Sequence, residues 1–291
     1  MTFMEALRFE FMQNALLAGL LAGIACGIIG CLVVVNRIVF ITGGIAHATY
    51  GGIGLAIFLG ISPLLGGLGF SLAIAVIMAL ISLQNKRRAD TIIGVLWALG
   101  MAVGIILIDL SPGYNVDLMS YLFGSILAVP RSDLWMMLAL DLAIFGVFGF
   151  FYKDLVAMSY DDEYAALMGV PVKKLYILLL SLIAVSVVVI MRVVGLILVI
   201  ALFTISPYIA EKYSRSLKTM ILLSIVFNMA FTVIGLGLSY AFNLTSGAVI
   251  ILVAGFFFLV SLVGRPFQKR KIPGRYEERP SFPNPGDVSP S

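Results

Sequence analysis

The sequence predicts an all-α polytopic membrane protein of about nine transmembrane helices. Three observations predict it. Of the 291 residues, 61% are hydrophobic and 12% charged, and the mean hydropathy is +1.10. The apolar runs reach the ~20 residues that carry a helix across a bilayer. Those runs also lack the polar–apolar alternation of a barrel strand, so a spanning backbone that pairs its own hydrogen bonds must be helical.

The spans are expected at 11–35, 42–60, 64–83, 91–109, 132–151, 175–191, 193–209, 219–241 and 245–263. The first carries Gly19, Gly23 and Gly27 at GxxxG spacing, which lets helix backbones approach closely. It also holds Cys26 and Cys31, read as small buried hydrophobes. Glu5 and Glu10 precede it, so it lacks the basic start of a signal peptide. The second span holds His47, the only histidine, flanked by Gly43, Gly44 and Tyr50. An intramembrane imidazole must face protein or a cavity, and imidazole is a common transition-metal ligand. A helix–helix hydrogen bond is the plainer reading of a lone one.

Ser62-Pro63 separates the second and third spans, and Ser111-Pro112-Gly113 follows the fourth. The segment 110–131 reads either as a short helix tucked against the outer mouth, a lid or docking surface, or as a plain structured loop; Asp109, just before it, and Asp117 place carboxylates there. The fifth span carries Asp141, for which Arg192 is one candidate partner. The stretch 175–209 is ~50 Å long as one helix at ~1.5 Å per residue, too long for one crossing. Two short spans with a tight turn near Arg192 are expected instead.

Lys and Arg concentrate in alternate loops, as in Lys86-Arg87-Arg88, Lys173-Lys174 and Lys212 to Lys218. That bias puts those loops in the cytoplasm, the N-terminus outside and the C-terminus inside. Residues 1–264 form the membrane domain. Residues 265–291 start basic, become Pro-rich and read as a disordered cytoplasmic tail that prefers anionic lipid. The net charge of +4 sits in these flanks and implies no nucleic-acid partner.

The loop 152–174 is the longest inner one. Ser159 is expected to cap a short helix through Glu163, with Asp161 and Asp162 in its first turn and Gly169 and Pro171 ending it. Such a helix suits force transmission from a soluble partner; a plain connector is the other reading. There is no GxxxxGK[ST] for ATP and no HExxH, and one histidine cannot build a zinc-protease site. No catalytic residues are assigned.

Several strings together resemble the permease subunit of prokaryotic zinc/manganese/iron ABC importers. They are RIVFITGGIAHATYGG (37–52), TIIG (91–94), NVDLMSYLFGSIL (115–127), DEYAALMGV (162–170), VGLILVIALFTISP (194–207) and residues 245–255. The resemblance covers residues 10–265. It implies a homodimeric pair in the cell membrane, with a fold similar to the vitamin B12 importer (type II) permease. It also implies two ATPase subunits below, which hold the ATP, and an extracytoplasmic metal-binding protein above. No cofactor is bound permanently; the divalent metal ion is cargo. Asp162, Glu163, Ala165, Ala166 and Gly169 match the coupling helix that docks on the ATPase. His47 matches the family's second-span histidine, which gives it a path-lining or ligand role beside Gly43, Gly44 and Tyr50. Many members carry Asp where this chain has Gly43, so a two-ligand site of that kind cannot form. The alternative function is a cation transporter or channel that works without ATP.

Overall fold

A computed structural model describes residues 8–84, 89–111, 124 and 126–263. Among them are ten α-helices. They are α1 (Glu10–Val35), α2 (Val39–Phe58), α3 (Pro63–Gln84), α4 (Ala89–Asp109), α5 (Arg131–Tyr160), α6 (Asp162–Leu167), α7 (Val172–Val194), α8 (Leu196–Tyr213), α9 (Leu217–Phe242) and α10 (Ser246–Val263). A 3-10 turn at Ile126–Ala128 precedes α5. All except α6 are long and apolar enough to cross a membrane, which gives nine candidate spans among the described residues. The basic cluster 86–88, most of the outer segment (112–123 and 125) and the tail from 264 lie outside them.

Glycine sets the closest helix contacts. Gly19, Gly23 and Gly27 of α1 lie against Thr232, Asn228 and Ile225 of α9, the close approach expected from their spacing. Gly51 of α2 meets the Gly100 carbonyl of α4, and Gly54 meets Gly104. These contacts put α1 and α2 inside the bundle: 83% of the α2 span is buried, against 22% for α4 and α5. The outer flanks of α4 and α5 show Leu99, Ile106, Leu142 and Phe145 to the surroundings, as lipid-facing surfaces do.

Three features depart from the sequence expectations. The fifth span does not stop at 151; α5 continues to Tyr160. Lys153 and Asp154 interrupt the hydropathy, but no Gly or Pro falls between Phe150 and Tyr160 to stop the helix. Ser159 therefore sits inside α5, where its hydroxyl accepts a hydrogen bond from the Asn36 amide at 2.9 Å, and it caps nothing. The turn between α7 and α8 lies at Gly195 rather than at Arg192. Gly195 has φ +85° and ψ 155°, a region essentially reserved for glycine.

The ion pairs correct a third expectation. Arg192 pairs with Asp133, at 3.4 Å, and not with Asp141. Asp133 lies two helical turns closer to the α5 N-terminus, level with the last turn of α7 where Arg192 sits. Asp141 is 3% exposed, and neither of its carboxylate oxygens has a hydrogen-bond partner.

Candidate substrate path and coupling helix

His47 sits midway along α2, in a shallow aromatic frame. Its imidazole stacks on the indole of Trp97 from α4, with centroids 4.4 Å apart and planes 13° apart. The Phe40 ring, two turns earlier on α2, lies 6.0 Å from the same indole. The indole N–H donates to the Met101 sulfur at 3.3 Å, one turn further along α4. This register exists because the glycine contacts at Gly51 and Gly54 bring α2 and α4 close enough for rings to meet between them.

His47 Nδ1 is buried and has no hydrogen-bond partner, although the residue as a whole is half-buried. The neighbouring glycines differ. A Cβ on Gly43 meets nothing within 4 Å, so open space lies beside the position one turn before His47. A Cβ on Gly44 meets Ile93 at 2.6 Å and Met78 at 3.3 Å, so that glycine serves packing against α3 and α4. Tyr50 is 2% exposed, and its backbone carbonyl abuts Gly104. The four residues thus share a helix, but Gly44 and Tyr50 are packed against α3 and α4, whereas the position of Gly43 has room for a side chain and His47 is half-buried. Among the described residues no group of three or more His, Cys, Asp and Glu comes together to hold a metal.

The second feature is α6. Asp161 ends α5 and caps α6, its carboxylate accepting the Tyr164 N–H at 2.8 Å. Gly169, at φ +86°, and then Pro171 turn the chain into α7. Ala165 is 1% exposed and faces the bundle. Asp162, Glu163, Ala166 and Gly169 are exposed. Tyr164, Leu167 and Met168 are 60, 85 and 68% exposed, an apolar surface on the one helix that is too short to sit in lipid. Behind α6 lies a cavity of about 690 Å³ bordered by Arg37, Asp90, Asp162 and Tyr176.

The ABC 3 transport family pattern matches residues 8–265, nearly the whole chain. This protein belongs to the ABC 3 transport family. An uncharacterized membrane protein of Synechocystis is 51% identical over 261 residues, 90% of this chain and 93% of that one. The manganese import system permease protein ScaB of Streptococcus gordonii is 35% identical over 91% of this chain and 96% of its own. Among solved structures, PsaBC from Streptococcus pneumoniae in complex with Fab superposes with a TM-score of 0.81 at 34% identity, covering 92% of this chain and 97% of that one. As an ABC 3 family member the chain is a multi-pass permease of the metal-ion ABC importer type, as the sequence strings imply. Sequence reasoning missed Trp97 and Met101, which look like ordinary span residues; the aromatic–thioether spacing of one turn was the available signal.

Proposed function

We propose that this chain is the membrane-spanning permease of an ATP-driven importer for a divalent transition-metal ion, with manganese the first candidate and zinc or ferrous iron the others. Two copies form the path, a metal-binding protein delivers the ion from outside, and ATPase subunits bind at the cytoplasmic face. The observation that carries this reading is α6. It is a capped helix outside the membrane spans that presents Tyr164, Leu167 and Met168, with nothing among the described residues covering them. An exposed apolar patch on a rigid helix marks a protein-binding surface. The manganese preference follows the relatives named for manganese import.

ATP binding draws the ATPases together and moves α6. Because Asp161 joins α6 directly to α5, the 30-residue α5 moves with it and shifts the bundle between outward and inward access. The ion passes His47 and the space beside Gly43. One imidazole with no carboxylate one turn away holds an ion weakly, which suits passage, since an ion bound too firmly does not leave.

The test is co-expression with an ATPase and a binding protein from the same operon. Ala166→Trp, at an exposed position, should leave folding intact while abolishing uptake and the stimulation of ATP hydrolysis. Full uptake by that variant rejects the coupling role.

A further inference from the structure

A histidine that binds metal normally has its ring held by a hydrogen bond from its other nitrogen to a carboxylate or carbonyl. His47 lacks that support: Nδ1 is buried and unpartnered. Its ring is instead held by a flat contact, 4.4 Å and 13° from the Trp97 indole. The indole in turn is fixed at its polar edge by the Met101 sulfur at 3.3 Å and flanked by Phe40. With Nδ1 enclosed, Nε2 is the nitrogen left for an approaching ion.

We infer that Trp97, anchored by Met101, is the positioning residue of the metal path: it sets the plane of the His47 imidazole and so tunes how strongly a passing divalent cation is held. The inference rests on the proposed function and extends it to α4. Stacking replaces the missing hydrogen bond. A stacked ring keeps its tilt yet slides in its own plane more easily than a hydrogen-bonded one. The site therefore favours brief contact over tight capture. Gly43 leaves the approach open, since no side chain occupies the space one turn away. Trp97 does not itself touch the ion; its effect passes through His47.

The experiment uses the full complex, reconstituted with its ATPase and binding protein, with the permease carrying no histidine tag. Mn²⁺ is the probe. Loss of a metal ligand's supporting group costs roughly 10-fold or more in affinity, so Trp97→Ala should raise the half-saturating Mn²⁺ concentration about 10-fold with little loss of maximal rate. Trp97→Phe keeps the stack and should stay within about 2-fold of wild type, and Met101→Leu should fall between them. A second readout needs no transport. His47 is the chain's only histidine, so its carbethoxylation by diethyl pyrocarbonate, read by mass spectrometry on peptides of the permease, is a single-site signal. Mn²⁺ should slow it in wild type and in Trp97→Phe but not in Trp97→Ala. If His47→Gln abolishes uptake while Trp97→Ala leaves both Mn²⁺ dependence and protection unchanged, the positioning role is wrong and the path reading stands. A Trp97→Phe that behaves like Trp97→Ala also overturns the positioning role. If His47→Gln transports with wild-type Mn²⁺ dependence, the path reading falls and this inference with it.

Discussion

The Asp161 carboxylate accepts the Tyr164 backbone N–H at 2.8 Å, while the Asp161 N–H donates to the Ala157 carbonyl at 3.1 Å. One residue thus closes α5 and opens α6. No slack loop separates the longest helix from the exposed one, so a push on α6 reaches α5 without being absorbed. Removing an N-cap side chain costs about 1 kcal/mol. Asp161→Ala should leave the permease folded, since α6 is short and peripheral, but should lower ATP-driven uptake several-fold. Asp161→Asn, which still caps, should retain most of it. Uptake assays on matched amounts of purified complex check this.

The carbonyl of Phe203 is deprived of its helical partner by Pro207. It lies against Gly30, where a Cβ stands 2.6 Å from that oxygen and 2.8 Å from the proline ring. Neither neighbour is the free end of a flexible side chain. Gly30→Ala should therefore destabilise the α1–α8 contact by about 1–3 kcal/mol. Gly43→Ala, with open space beside it, should cost far less. Melting temperatures of the two variants in the same detergent should separate clearly.

The Asp133–Arg192 pair is asymmetric. The Arg192 side chain is 45% exposed and that of Asp133 10%. Losing Asp133 leaves an arginine that water reaches, whereas losing Arg192 leaves a buried carboxylate without its partner. Arg192→Gln should be the more destabilising of the two single variants, and the double variant Asp133→Asn/Arg192→Gln should recover part of the loss. A double-mutant cycle in thermal stability measures it.

Asp141 has two buried oxygens with no partner, and the proposed path at α2 and α4 does not use it. Replacing an unsatisfied buried polar group with an apolar one of similar shape is neutral or stabilising. Asp141→Leu should keep assembly and uptake within about 2-fold of wild type and equal or exceed its melting temperature. A loss of uptake in a stably assembled Asp141→Leu gives that carboxyl a working role.

The helical class and the spans were legible because hydrocarbon length leaves its mark in every run of apolar residues. Their ends were less so. Hydropathy drops at Lys153 and Asp154, but a helix ends on backbone chemistry, and none arrives until Asp161. Ser159 has a hydroxyl close to capping distance in sequence from Glu163, but α5 runs through it, so the cap falls on Asp161. The partner of Arg192 was also not legible: Asp133 and Asp141 lie on one helix, and only the height of the α7–α8 turn decides between them. His47 stood out as a single polar residue in an apolar run. The groups that orient it did not, because Trp97 and Met101 are ordinary residues of a lipid-spanning helix. Gly100 and Gly104, which bring α4 against α2, carry the same GxxxG signal that marked α1.

The most direct measurement is metal uptake into proteoliposomes that hold the permease with, and then without, its ATPase. The account predicts Mn²⁺ accumulation only with the ATPase and internal ATP, abolished by Ala166→Trp on the exposed face of α6. Accumulation at the full rate in vesicles without the ATPase contradicts it.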